Sequence, residues 1–222
     1  MVHAFAAQGD SERVTSLSLG DGCRHVFLDV GANRGVHVRF LTEPHLFPKS
    51  SFLARGFFRD YFGPGFATDP AICAFGFEPN LHHSERLLRL AQSYRARGRR
   101  VEFFGLAAEA QAGVITMYDH RGDYMESDWR FGAKRKSWRP INISAIDLAA
   151  FVRHEIANRT IPAGDGPPPA VVMKLVRQCS GRAHVHTGSV SYRMMCRQCT
   201  VQSAVLVAAW QPLHGVAHKH SS

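Results

Sequence analysis

Two glycines that follow an acidic residue could form a ligand-binding loop. Asp29 lies near the end of an apolar run, Gly31 follows it, and Gly35 comes four residues later. Glycine permits a tight turn and a close approach of a ligand to the backbone. Loop amides and a following helix could donate to a carboxylate or phosphate, and Asp29 could accept from an ammonium group or a water. The alternative is an ordinary junction of strand, turn and helix.

A second acidic residue, Glu78, ends another apolar run within the segment Phe77-Glu-Pro-Asn80. In Rossmann-type folds, an acid at the carboxyl end of the second strand binds ribose hydroxyls. The separation from Asp29 exceeds the usual ~20 residues, and an insertion at 42–70, predicted to be loop-like from its prolines and glycines, would absorb the excess. The G-x-x-x-G spacing also differs from the dinucleotide pattern G-x-G-x-x-G. The alternative for Glu78 is a surface acid that interacts favourably with a helix dipole.

The elements that would position these residues alternate between strands and helices. Apolar runs predict buried strands at 25–31, 71–77, 101–106 and 170–176, and a further extended piece at 114–118. Asn80 is a candidate cap for a helix to about Arg97. Ser144-Ala-Ile-Asp147 has capping-box spacing and predicts a second helix. The fold class expected from this order is α/β with a mainly parallel sheet.

The chain is long and apolar enough for one domain, with 222 residues of which 45% are hydrophobic. We expect a loose lead-in at 1–24, a main domain at 25–175 and an atypical tail at 176–222. The tail contains no acidic residue, although the chain as a whole has 18. Much of the net charge of +9 therefore reflects missing acids rather than a basic face.

Together these motifs resemble the FkbM-type methyltransferase family. The matching segments are Asp29-Val-Gly-Ala-Asn-Arg-Gly35, Glu78-Pro79 and the third strand with its small residues, 101–108. The resemblance covers roughly 25–175 and implies a Rossmann-like class I methyltransferase fold that uses S-adenosylmethionine. It implies an oxygen acceptor on a small molecule or sugar and identifies no catalytic base. Asp119, His120 and Asp123 are candidates in a loop on the acceptor side, and a solvated loop is the alternative for each. By it, the methionine part would contact Asp29, Gly31, Asn33 and Gly35, and the ribose would contact Glu78.

The sequence departs from the family pattern after Lys174. The family strand continues as K-x-D-x-E-G, whereas this chain reads Lys174-Leu-Val-Arg-Gln-Cys-Ser-Gly181 and lacks both acids. The predicted fold is therefore incomplete at its C-terminal end. An altered reading frame and a genuinely divergent tail are both open explanations. A non-catalytic methyltransferase remnant is accordingly an alternative function.

Two other functions have weaker support in the sequence. Cys196, Cys199, His214 and His218 fall within a zinc-site spacing, but Pro212 and Gly215 would break the helix that presents both histidines, so we expect no metal. A nucleic-acid methyltransferase or binder could use a basic set near aromatic residues. That set comprises Arg95, Arg97, Arg99, Arg100 and Lys134-Arg135-Lys136, beside Trp129, Phe131 and Trp138.

The cysteines and the apolar runs bear on the compartment. Five cysteines at irregular spacing do not indicate a disulfide framework, so a reducing compartment is the simpler expectation. The first 13 residues have no long apolar run and do not resemble a secretory signal. No stretch approaches the 18 apolar residues of a membrane span.

Overall fold

The computed structural model of the protein describes residues 17–50, 56–119, 139–177 and 202–209. Their strands are β1 His25–Val30, β2 Ile72–Phe77, β3 Arg100–Phe104, β4 Ala107–Glu109, β5 Gly113–Asp119, β6 Arg139–Asp147, β7 Ala170–Arg177 and β8 Gln202–Ala209. Their α-helices are α1 Val36–Thr42, α2 Phe57–Phe62, α3 Ser84–Arg95 and α4 Leu148–Phe151. Short 3-10 turns lie at Pro44–Leu46 and Leu81–His83, and a π-helical turn at Val152–Ala157 follows α4.

Within the described residues, the central sheet has five strands in the order β3-β2-β1-β7-β8. The first four are parallel, and β8 runs antiparallel to β7. This arrangement confirms the prediction of an α/β fold with a mainly parallel sheet. The strand order reverses between β1 and β7, and open α/β sheets bind ligands at the carboxyl ends of strands at such a reversal. In register, Asp29 lies between Gly76 on β2 and Lys174 on β7.

Both faces of the central sheet are covered, which explains why its inner strands are mostly apolar. Phe27 and Val172 belong to a core cluster with α1, α2 and α3. Leu28 and Met173 belong to a second cluster, on which α4 and the π-helical turn pack. Because side chains alternate along a strand, Asp29 and Lys174 point to the same face as Phe27 and Val172.

Two local predictions were wrong. Ser144 does not cap a helix, because β6 continues through Asp147 and pairs with both β4 and β5. The cap is Asp147 itself, whose Oδ1 accepts a hydrogen bond from the Ala150 N–H at 2.8 Å. The insertion at 42–70 was predicted to be loop-like, yet it contains α2, whose Phe58 and Phe62 are buried in the core.

A disulfide joins the segment before β1 to the second strand. Cys23 and Cys73 are both buried, and their sulfur atoms lie 2.01 Å apart. The same segment is held at Gly20, whose N–H donates to the Glu155 carbonyl at 2.8 Å. Residues 18–24 are therefore packed against the domain, whereas the sequence predicted a loose lead-in and did not predict this pairing.

Within the described residues, three further strands form a second sheet. β5 and β6 form an antiparallel pair, and β4 lies parallel beside β6 in a separate three-stranded sheet.

In the predicted atypical tail, β8 pairs with β7 over Gln202–Ala209. Residues 178–201 and 210–222 of that tail lie outside the described part of the chain. No helix within the described ranges is long and apolar enough to cross a membrane.

Burial of His25 predicts that the protein loses stability in mild acid. The ring is 1% exposed beside Phe62, and burial lowers the pKa of His25 to about 4 from 6.5. Between pH 6.5 and 4, His25 is therefore protonated in the unfolded chain and neutral in the folded chain. We expect His25 alone to lower the free energy of unfolding by roughly 3 kcal/mol across this window. Urea titrations at several pH values measure the slope, and His25→Gln should reduce it by the His25 share; His37, whose pKa is also lowered to about 4, keeps its own contribution. An unchanged slope would refute the assignment.

Candidate functional site

The loop between β1 and α1 has three residues with positive φ. They are Gly31 at 73°, Asn33 at 52° and Gly35 at 72°. Among the described residues, Asn33 is the only non-glycine with positive φ, and asparagine tolerates that conformation better than most residues. The backbone of this turn therefore favours the pattern G-x-N-x-G.

The amide groups of the loop are used within the protein. The N–H groups of Gly31 and Ala32 both donate to the Phe77 carbonyl, at 2.9 and 3.0 Å. The N–H of Asn33 donates to Glu78 at 2.5 Å, and that of Gly35 donates to the Ala32 carbonyl at 2.8 Å. The expectation that loop amides are available to an anion is therefore wrong for these four positions. The loop is instead bound tightly to the end of β2.

Glu78 connects the two strand ends that the sequence singled out. Its Oε2 accepts from the Asn33 N–H, and its Oε1 accepts from the Asn80 N–H at 2.9 Å. The side chain is 8% exposed. Burial raises the pKa of Glu78, and the two backbone hydrogen bonds oppose that rise. Each carboxylate oxygen can accept more than one hydrogen bond, so Glu78 retains capacity for a ligand hydroxyl.

Asp29 is fully buried and forms an ion pair with Lys174. The Lys174 Nζ lies 2.9 Å from Asp29 Oδ1, without hydrogen-bond alignment, and it donates to the carbonyls of Gly31 at 2.6 Å and Val30 at 3.3 Å. His37 Nδ1 lies 3.7 Å from the same Oδ1. Within the described ranges, no group donates a hydrogen bond to the other oxygen, Oδ2. A buried carboxylate oxygen without a donor is costly, which makes Oδ2 a candidate ligand acceptor.

His37 is neutral at physiological pH in this arrangement. Burial lowers the pKa of His37 to about 4, and the charge of Lys174 lowers it further. The nearby Asp29 carboxylate opposes both effects. The charges of the cluster are therefore those of Asp29 and Lys174 alone. A charged ligand group near Asp29 would meet an ion pair rather than an isolated carboxylate.

A small cavity lies beside Glu78, between α3 and β3. Its volume is about 150 Å³, and its lining includes Leu87, Arg95, Phe103 and Phe104. This volume is below the ~300–1,000 Å³ of typical sites for drug-sized ligands, so it suits one ring of a ligand. A larger cavity of about 300 Å³ lies in the insertion, but no candidate site residue lines it.

The other proposed site residues divide by where they fall in the chain. His120 and Asp123, in the predicted acceptor-side loop, and the cysteine–histidine set of the zinc hypothesis lie outside the described residues. Asp119 is described, and its Oδ2 lies 3.3 Å from His82 Nε2. Within the described ranges, no group of three or more His, Cys, Asp or Glu side chains could hold a metal ion.

Most of the described arginines in the proposed basic set make internal contacts. Arg97 pairs with Glu43 at 3.1 Å. Arg99 donates to the Asp69 carbonyl, and Arg100 donates to the Asp21 carbonyl. These contacts reduce the support for a phosphate-binding face at this end of α3. Residues 129–138, the rest of the proposed face, lie outside the described ranges.

Sequence reasoning missed the ion pair of Asp29 and Lys174, although the sequence held a signal for it. Lys174 is the only charge in Ala170-Val-Val-Met-Lys-Leu-Val176, and a charge in a buried strand needs a partner. The contact of His37 with Asp29 had no such signal, because it depends on how α1 packs on the sheet.

Comparison with models of protein families, with curated proteins and with solved structures finds no match for this chain.

Proposed function

We propose that the described domain is the cofactor-binding part of a class I methyltransferase that uses S-adenosylmethionine. The acceptor would be a hydroxyl group of a small molecule or sugar. The observation that carries the proposal is the hydrogen bond between Glu78, at the end of β2, and the Asn33 N–H, in the loop that follows β1. This bond joins the two motifs at the carboxyl edge where the strand order reverses.

The residues present fit the donor groups of the cofactor better than its carboxylate. Asp29 Oδ2 is buried without a described donor and fits an ammonium group. Glu78 can accept from ribose hydroxyls, and the cavity beside it has the aromatic neighbours Phe103 and Phe104. The loop amides of Gly31, Ala32, Asn33 and Gly35 are satisfied internally. When bound, S-adenosylmethionine would supply an electrophilic methyl group.

Ligand choice tests the proposal directly. We expect calorimetry to detect binding of S-adenosylmethionine and S-adenosylhomocysteine, and weaker or no binding of NAD. The reason is the G-x-x-x-G loop, which differs from the dinucleotide spacing. Tighter binding of NAD would overturn the proposal. If S-adenosylmethionine binds, transfer of a labelled methyl group to a panel of sugars and small hydroxyl compounds tests the activity.

Glu78→Ala should weaken binding of S-adenosylmethionine by about 1–3 kcal/mol, the range for a lost charged hydrogen bond. The same change frees two buried amide groups, those of Asn33 and Asn80, so stability should also fall. Affinity is therefore measured by calorimetry under conditions where circular dichroism shows the variant fully folded. Glu85→Ala is the matched control, because Glu85 is exposed on α3 and pairs only with Arg89 among described residues. Equal affinity for both variants would exclude the ribose role.

A non-catalytic remnant is a second candidate function. The observation in its favour is that β7 continues beyond Lys174 as Leu175-Val176-Arg177, with no acid at the carboxyl end of the strand. Such a protein would bind the cofactor without methyl transfer. Sequencing the transcript across codons 170–182 addresses the cause, since a frame that restores Asp and Glu after Leu175 would favour an altered reading of an active enzyme.

A further inference from the structure

The buried side chain of Lys174 contacts the loop that follows β1 as well as Asp29. Its side chain is 1% exposed, and its ammonium group reaches the Gly31 carbonyl at 2.6 Å and the Val30 carbonyl at 3.3 Å. Both carbonyls belong to the turn from β1 into the glycine-containing loop. The lysine belongs to β7, the neighbour of β1 on the side where the strand order reverses. It therefore ties β7 to the loop that follows β1.

The same ammonium group fixes the environment of Asp29. Lys174 and His37 both approach Oδ1, at 2.9 and 3.7 Å, and Oδ2 has no donor among the described residues. A buried carboxylate is tolerated when it is paired, and it is strongly destabilising when the partner is removed. The pair thus holds one oxygen by charge and leaves the other with unused accepting capacity.

We infer that Lys174 is a positioning residue for the candidate site: its ammonium group holds the Gly31 carbonyl and Asp29 Oδ1, so that Oδ2 is left for a donor group of the ligand. The ligand group that fits is an ammonium or another N–H or O–H donor. The assignment of a ligand rests on the proposed function, whereas the positioning of the loop does not.

Three variants separate positioning from simple stabilisation. Lys174→Met removes the ammonium group and leaves Asp29 unpaired, so stability, loop order and affinity should all fall. Asp29→Asn/Lys174→Met removes both charges, so stability should recover towards that of the wild type. The contacts to Gly31 and Val30 are still missing in the double variant, and loop order should not recover. Arg89→Met is the control, because it removes an exposed cation from its pair with Glu85.

Hydrogen exchange of the Gly31 and Ala32 amides reports the loop, because both amides are protected by the Phe77 carbonyl. We expect exchange at these two amides to be roughly tenfold faster or more in both Lys174 variants, as for a lost charged hydrogen bond. We expect it to be unchanged in Arg89→Met. Exchange that returns to the wild-type rate in the double variant together with global stability would overturn the inference, because the pair would then be merely structural.

Affinity for S-adenosylhomocysteine, measured by calorimetry on folded protein, decides the ligand part. Supporting results are a loss of roughly tenfold or more in Lys174→Met and no recovery in the double variant. Wild-type affinity in either variant would overturn that part. If the wild-type protein binds no such ligand, the proposed function and the ligand assignment both fail. The exchange rates then decide the positioning role by themselves.

Discussion

We expect loss of the Cys23–Cys73 disulfide to lower the free energy of unfolding by about 4 kcal/mol. The bond joins residues that are 50 positions apart, and the entropy lost by an unfolded chain grows with the length of the loop that a disulfide closes. Both cysteines are buried in one core cluster. Small domains have total stabilities of about 5–15 kcal/mol, so this loss would be a large share.

Urea unfolding of Cys23→Ala/Cys73→Ala against the oxidised wild-type protein measures the effect. A reductant should shift the wild-type midpoint to lower urea and should leave that of the double variant in place, since the other three cysteines are present in both proteins. Peptide mapping without reductant should recover the segments around Cys23 and Cys73 as one linked species. Equal midpoints of the two proteins without reductant would contradict the prediction.

A stable disulfide also bears on where the protein folds. Structural disulfides form and persist in oxidising compartments and are rare where thiols are kept reduced. The sequence favoured a reducing compartment, because five irregularly spaced cysteines suggest no framework. Pairing depends on which residues the sheet brings together. In the register of β1 and β2, Cys73 lies opposite Val26, and Val26 is only three residues after Cys23. That register is a tertiary property, which spacing along the chain does not reveal.

The parts of the fold that were predictable are those governed by local pattern. The buried strands β1, β2 and β7 are runs of apolar residues, and the sequence predicted each to within a residue or two. The helix after Glu78 was also predicted, although Asn80 caps the 3-10 turn at Leu81–His83 rather than α3 itself. Cap and turn positions differ by a few residues because tertiary contacts decide where a helix begins.

The parts of the candidate site that were not predictable depend on contacts between distant segments. The sequence identified Asp29 and Glu78 as acidic residues at strand ends. It could not show that Glu78 accepts hydrogen bonds from the loop, nor that Lys174 occupies one oxygen of Asp29. It also predicted free loop amides, because a glycine-containing turn before a helix often binds anions. Whether such amides are free depends on the neighbouring strand, which here supplies the Phe77 carbonyl.

We expect Gly35→Ala to destabilise the protein by about 2–5 kcal/mol, from a left-handed backbone cost of roughly 1–2 kcal/mol and an overpacking cost of about 1–3 kcal/mol. Gly35 has a φ of 72°, and an added Cβ would lie 3.2 Å from Phe103 Cζ on β3, 2.7 Å from Leu90 Cδ2 and 3.2 Å from Leu87 Cδ2 on α3. The glycine therefore lets the loop pack directly against that helix.

Gly98→Ala is the matched control for this prediction. Gly98 has nearly the same φ, 74°, but an added Cβ would meet nothing within 4 Å among the described contacts. It should cost only the backbone part, roughly 1–2 kcal/mol. The difference between the two variants in urea unfolding thus isolates the packing of the loop on α3 and on Phe103 of β3. If both variants lose the same stability, Leu87 and Leu90 can move aside, and the close approach of the loop to α3 is not what requires glycine at position 35.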